Sequence, residues 1–160
     1  MNNGTADATS SSGGQASAAR LRNLVTRLLS LAAIQSDRLV NEELARADAR
    51  KWHYAVLATL EEFGSASQAE LSRRTRIHRS DVVAVVNELT GRGLVERSPD
   101  PADRRRNIVT LTEQGHRHLL RLDRLLTDAD DEVLAPLTRP ERMQLARLLS
   151  ALVDHHGKSM

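Results

Sequence analysis

The residues of this chain best suited to chemistry concentrate between Ser67 and Gly115, above all in three consecutive arginines, Arg104, Arg105 and Arg106. A guanidinium stays charged at any physiological pH and presents its donors in a planar fork, so such a cluster is suited to holding anions, not to transferring protons. The run separates two short segments rich in β-formers, residues 94–98 and 107–111, and Pro99 and Pro101 mark the connection as a turn. This pattern predicts a β-hairpin with positive charge at its tip. Taken alone, an arginine run is a solvated loop. Placed directly after a pair of helices, it is suited to the narrow, negative minor groove of DNA and its flanking phosphates.

That helix pair lies just upstream. The segments SQAELSRRT and HRSDVVAVVNELTGRG are each helix-sized and are joined by a short turn, the arrangement of a helix-turn-helix. In the second helix, residues 78–90, Val82, Val85, Val86 and Leu89 form one apolar face. Ser80, Val83, Ala84 and Asn87 lie opposite, with Arg79 at the N-terminal edge. Arg79 can read guanine with two hydrogen bonds and Asn87 can read adenine. Val83 can meet a thymine methyl or serve as a half-buried core residue, and Ser80 suits a phosphate or a single base contact. Gln68, Arg73 and Arg74 on the first helix are candidate phosphate contacts.

The wording of this region resembles the MarR family of bacterial transcription regulators. The resemblance is carried by AELSRRT at 69–75, by VVNELTGRGLVERSPDPADRRRNIVTLTEQG at 85–115 and by the helical flanks, about residues 20–155 in all. It implies a homodimer that binds double-stranded DNA through the helix pair and the wing. It also implies that Asp103 and Arg105 form the wing's acid and arginine pair, with the carboxylate orienting the guanidinium. Relatives of this kind often take small aromatic or phenolic anions in a cleft between the dimer helices and the winged lobe. One departure stands out: Arg76 occupies the turn between the two helices, where the family usually has glycine. If that backbone needs a positive φ, a side chain there costs about 1 kcal/mol.

Charge distribution agrees with a nucleic-acid partner better than the total does. The chain carries a net charge of only +2, yet residues 73–106 hold nine arginines against five acids, +4, which leaves −2 for the remainder. The absence of cysteine excludes disulfides and thiol-based sensing by the chain itself. No apolar run approaches the roughly 20 residues of a membrane span, and the N-terminus lacks the features of a secretory signal, so a soluble cytoplasmic protein without membrane contact is expected.

The positioning elements can be read from periodicity. Residues 1–17 are small and polar and predict a disordered tail. Leu21, Leu24, Val25, Leu28, Leu29 and Ala32 make one stripe of a helix that runs to about residue 46, and residues 18–47 are assigned to dimerisation. The DNA-binding lobe is placed at 48–111. It opens with a helix at 49–63 that has Asp48 as its N-cap and Trp52, Ala55, Val56, Thr59, Leu60 and Phe63 at helical spacing. Gly64 ends this helix, and Ser67 with Glu70 makes a capping box for the next. Gly91 and Gly93 stop the recognition helix and turn the chain into the hairpin.

Residues 112–157 are assigned to C-terminal dimerisation helices. Thr112 caps the first of these, which carries Leu119, Leu122, Leu125 and Leu126 and is broken by Pro136. Thr138 and Glu141 box the start of the last, with Leu145, Leu148, Leu149 and Leu152 as its stripe. The fold class expected is mainly α with a small β-hairpin wing, a winged helix-turn-helix flanked by helices of an intertwined dimerisation lobe.

Trp52, His53 and Tyr54 stand together in a chain with one tryptophan, one tyrosine and one phenylalanine. In the plainer view Trp52 is core and the other two line a boundary between helices. With the family resemblance added, the three become an aromatic wall with a hydrogen-bonding histidine for an anionic effector, and His53 could also sense acidity. His116 and His118 are two apart on one helix and do not face each other, so no zinc site is expected. The acids near Asp128 lack the glycine and spacing of a calcium loop. No catalytic motif is present, and neither enzymatic activity nor a cofactor is expected. The function expected is a ligand-responsive dimeric repressor acting on a pseudo-palindromic operator. The alternative is a winged-helix protein that binds proteins or small molecules without DNA output, which would not need +4 on the helix pair and hairpin.

Overall fold

The computed structural model describes residues 18–157. The chain divides into two units after Ile34. In the first, α1 (Ala19–Arg22) is followed by the opening turns of α2 (Val25–Ala45). The single helix expected from the leucine stripe is interrupted at Asn23, which leaves helical geometry at φ −99°, ψ 2°. Asparagine competes for the backbone's hydrogen bonds and is a poor helix-interior residue. Leu21, Leu24, Val25, Leu28, Leu29, Leu31 and Ile34 all remain exposed.

The second unit contains the rest of α2, α3 (Lys51–Phe63), β1 (Ala66–Ser67), α4 (Gln68–Thr75), α5 (Arg79–Gly91), β2 (Val95–Pro99), β3 (Asn107–Leu111), α6 (Glu113–Val133) and α7 (Arg139–Gly157). The expected hairpin is present in the register Val95 to Leu111, Arg97 to Val109 and Pro99 to Asn107. A third strand, β1, pairs antiparallel to β3, Ala66 opposite Val109, so the sheet order is β1-β3-β2. Two residues are too few to show an alternating pattern, so periodicity does not predict this strand.

One core joins the helices to this sheet. Val82, Val85, Val86 and Leu89 of α5 are all buried, as their spacing requires. They meet Val56, Leu57 and Leu60 of α3, Leu71 of α4, and Val95 and Val109 of the hairpin. The core continues past residue 111 into α6 through Leu119, Leu122 and Leu125. Gly115 makes that junction possible: a Cβ there would stand 2.0 Å from the Leu94 carbonyl oxygen, closer than any side chain can approach. Thr112 caps α6 as expected, accepting from the Gly115 N–H at 2.9 Å.

Several caps differ from expectation. Asp48 does not cap α3; it sits in the left-handed region at φ 51°, and Arg50 is the N-cap residue. The chain leaves α2 through a tight turn there, and aspartate tolerates that conformation. The buried stripe of α3 is accordingly His53, Val56, Leu57 and Leu60, with Trp52 and Phe63 exposed. Ser67 accepts from the Glu70 N–H at 3.2 Å, but the Glu70 carboxylate is taken by Arg74 instead of reaching back. At α7 the reverse half forms: Glu141 accepts from the Thr138 N–H at 2.8 Å. Gly93 takes φ +70° and turns the chain toward β2, whereas Gly91 is still helical. No residue of α7 is buried, and Met143, Leu148, Leu149, Leu152 and Val153 are exposed. Among the described residues, no helix is long and apolar enough to cross a membrane.

Candidate nucleic-acid interface

A groove of about 460 Å³ runs between the helix pair and the hairpin. Gln68 enters it from α4, Arg79, Val83 and Asn87 from α5, and Arg105 and Arg106 from the loop after β2. These six come from the set that the sequence singled out. The structure adds Arg97 and Asn107, which the sequence reading missed as site residues. The signal was available: on β2, Arg97 is two residues beyond the buried Val95 and so shares its face, directed at α5. The lining holds four arginines and no carboxylate.

The architecture of each side of the groove follows from local chemistry. The recognition helix starts at His78, whose ring accepts weakly from the Ser80 N–H at 3.4 Å and bonds the Ser80 hydroxyl at 2.9 Å. Val83 is 36% exposed, which places it on the groove and not in the core. At the hairpin tip, Asp100 Oδ1 accepts from the Ala102 N–H at 2.9 Å, and Asp103 Oδ1 accepts from the Arg105 N–H at 3.1 Å. Asp103 thus shapes the backbone beneath Arg105. No ion pair joins its carboxylate to the Arg105 guanidinium among the described residues, so the arginine head is left for another partner.

Five predicted residues lie outside the groove lining. Arg104, Ser80 and Asp103 are exposed beside it. Arg73 reaches Glu70 at 3.5 Å and is largely exposed. Arg74 is held by two hydrogen bonds to Glu70 Oε1, at 3.0 and 2.7 Å, and lies 4.2 Å above the Phe63 ring. The Arg74 hydrogen bond is the main cause that holds the Glu70 carboxyl below its ordinary range. Arg76 ends α4 at φ 57°, ψ 23°, so the turn does need the left-handed conformation that the arginine fills at a cost.

A second cavity, about 590 Å³, lies on the other flank of α5 and is lined by Ala45, Asp48, Ala49, Arg50, His53, Glu88 and Arg92. His53 is only 3% exposed, and both ring nitrogens are engaged. Nδ1 accepts from the Arg50 N–H at 3.1 Å, which leaves Nε2 to donate to Glu88 at 2.8 Å. Burial lowers the imidazole pKa below its ordinary value, opposed by the hydrogen bond to Glu88 and assisted by the Arg50 charge. Arg50 also reaches Glu88, at 2.5 Å, and Arg92 donates to the Asp48 and Ala47 carbonyls at 2.6 and 3.3 Å.

His53, Trp52 and Tyr54 do not form one wall. Trp52 is 45% exposed, and the Tyr54 hydroxyl donates to Asp123 at 2.9 Å on the α6 side. Consecutive helical residues are about 100° apart, so three in a row cannot share a face. Among the described residues, no three metal-ligating side chains converge.

The helix pair, the arginine-bearing hairpin and the carboxylate-free groove between them define a winged helix-turn-helix protein. The model of the MarR family matches residues 48–106. A solved structure from Pseudomonas aeruginosa, described as a probable transcriptional regulator, superposes with a TM-score of 0.73 at 31% identity, covering 83% of this chain and 99% of that one. The chain belongs to the MarR family.

The transcriptional repressor NicR of Pseudomonas putida is 34% identical over 101 residues, 63% of this chain and 64% of that protein. The chain spans 60% of the length of a second relative, from Thauera aromatica, at 33% identity over 62% of its own. Two further solved structures are similar. BpsR of Bordetella bronchiseptica, whose DNA binding is regulated by 6-hydroxynicotinic acid, has a TM-score of 0.73 at 26% identity and covers 82% and 94% of the two chains. A variant of MarR from Escherichia coli, complexed with operator DNA, has a TM-score of 0.70 at 27% identity and covers 81% and 93%.

Proposed function

We propose that this protein is a homodimeric transcriptional repressor that binds a pseudo-palindromic operator and is released by a small anionic effector. The observation that carries the DNA reading is the groove itself. Its four arginines, with no carboxylate among the lining residues, lie alongside the outward face of α5. In this reading α5 enters the major groove, Arg105 and Arg106 meet the flanking minor groove and its phosphates, and Arg104 adds charge at the tip. The operator complex of the MarR variant and the naming of NicR as a repressor support the same assignment. The chain needs neither a reaction nor a cofactor for this role.

The dimer is supported by two apolar stripes, each considered in its own unit. Leu21 to Ile34 in the first and Met143 to Val153 in the second leave leucine, isoleucine and methionine in water. Soluble monomers rarely tolerate such contiguous apolar patches. A second copy of the chain would cover them and set the spacing of two recognition helices. Residues 18–47 and 112–157 serve dimerisation in this reading, and α6 serves the lobe core as well.

The effector is assigned to the cavity at His53, Arg50 and Arg92, where a carboxylate or phenolate would meet two guanidinium groups. BpsR, regulated by a hydroxylated aromatic acid, supports that ligand class. For release to occur, the ligand must favour the spacing that does not fit the operator, because equal affinity for both states shifts nothing.

A salt titration against the DNA immediately upstream of its own gene and against a scrambled duplex tests the DNA reading. Tight, preferential binding whose affinity falls steeply with salt is expected. Weak, equal binding to both duplexes counts against it. Induction that is unaltered in His53→Ala sinks the effector assignment.

A further inference from the structure

One hydrogen bond in the groove serves neither the core nor a turn. Arg97 Nη2 on β2 donates to Asn87 Oδ1 on α5 at 2.6 Å. Both side chains are exposed and both line the groove, so burial does not demand the pairing. A guanidinium has donors and no acceptor, so it can hold the asparagine amide only by its oxygen. The end of Asn87 turned from Arg97 is its NH2 group, while the oxygen keeps one further lone pair.

We infer that Arg97 is a positioning residue that sets which base Asn87 reads. This rests on the DNA-binding reading proposed above. Held by Arg97, Asn87 presents N–H donors to the groove. In the major groove, guanine offers two acceptors, N7 and O6. Adenine and thymine offer one each, and cytosine offers only its N4 amino donor. Guanine opposite Asn87 is therefore favoured and cytosine rejected, because two donors then face each other with the Arg97 charge close behind. The bidentate adenine pairing needs the amide oxygen as well as the NH2 group, and Arg97 already takes one of that oxygen's two lone pairs and draws it toward β2, so this pairing is disfavoured. Without Arg97 the amide can turn over and present its oxygen, which the cytosine amino group can satisfy.

The test uses the full-length protein and the duplex it selects from a random library. Every base pair of one half-site is changed to the other three, and affinities are measured for wild type, Asn87→Ala, Arg97→Ala and Arg97→Lys. Asn87→Ala identifies the position read, as the one where preference disappears. At that position wild type should prefer guanine over cytosine by about tenfold, roughly the discrimination of a modest base contact. Arg97→Ala should abolish that preference and leave the other positions intact. Arg97→Lys, which can also only donate, should retain most of it.

A uniform loss of affinity in Arg97→Ala, with a shallower salt dependence and intact base preference, would make Arg97 a phosphate-binding residue and overturn the inference. So would a loss of preference at a different base pair from that of Asn87→Ala, or no position-specific effect of Asn87→Ala at all. Failure of the DNA reading is distinguishable, since wild type would then select no duplex.

Discussion

The groove and the second cavity draw on adjacent residues of one helix, Asn87 and Glu88, yet they are opposites electrostatically. In the groove, four arginines line the walls with no carboxylate among them, Arg106 feels the charge of Glu70 outside the lining, and Asp100 and Asp103 at the hairpin tip are turned to the backbone. In the cavity nearly every charge is matched within the chain. Glu88 meets both Arg50 and His53, and Arg92 caps carbonyls of the turn after α2. The arginine-lined surface is poised for an external polyanion. The compensated one holds α3 to α5, so a ligand entering it must exchange partners with the protein. A ligand that bound there would be coupled to the recognition helix through Glu88, which bonds both Arg50 and His53.

Variants can break this contrast. The largest effect is expected from Arg105→Gln with Arg106→Gln. The affinity of this double variant for DNA should drop about 10- to 100-fold, with the salt slope shallower by about 0.9 for each phosphate that is no longer neutralised, while the melting temperature barely moves. A clear fall in thermal stability would show that these arginines are structural after all.

His53→Ala should behave in the reverse manner. It strips the Arg50 N–H of its buried acceptor and Glu88 of a donor, costing about 1–3 kcal/mol of stability, whereas the purified, folded variant should still bind DNA. Chemical denaturation with parallel binding assays checks both halves.

A smaller change of opposite sign is expected from Arg76→Gly. Relieving the left-handed conformation should stabilise the protein by about 1 kcal/mol, read as a higher denaturation midpoint. An unchanged or lower midpoint would mean that the arginine side chain compensates its own strain.

The pH dependence sharpens the comparison further. Burial depresses the His53 pKa in the folded protein, so between that value and about 6.5 the unfolded chain binds more protons. The His53 contribution to stability is complete above about pH 6.5 and fades as pH falls through the folded pKa. His53→Gln should flatten that decline. If wild type and variant lose stability in parallel below pH 6.5, the titrating group lies elsewhere.

Much of the site could be read from residue order because its parts are local. Val82, Val85, Val86 and Leu89 dictate which side of α5 is buried, and therefore that Val83 and Asn87 are not. The cap at Thr112 and the hairpin between two β-rich segments likewise follow from a few neighbouring residues, whereas the question of a positive φ at Arg76 is raised only by the family resemblance and is answered by the structure. The aromatic trio failed for an equally local reason, the rotation between successive helical residues. Residues 1–17 lie outside the described residues, and the tail expected there has no structural counterpart to compare.

Periodicity and propensity are properties of short windows, and through them the sequence by itself determined the helices, the wing and the face that α5 turns outward. Pairings between distant segments depend on how close the packed core brings them. Only the tertiary structure decided that β1 joins the sheet, that Arg97 reaches Asn87 from another element, that Arg74 is drawn away to Glu70 and Phe63, and that His53 finds Glu88 across 35 residues. A charge in a sequence has no partner until the fold supplies one, and that choice separates the exposed groove from the internally balanced cavity.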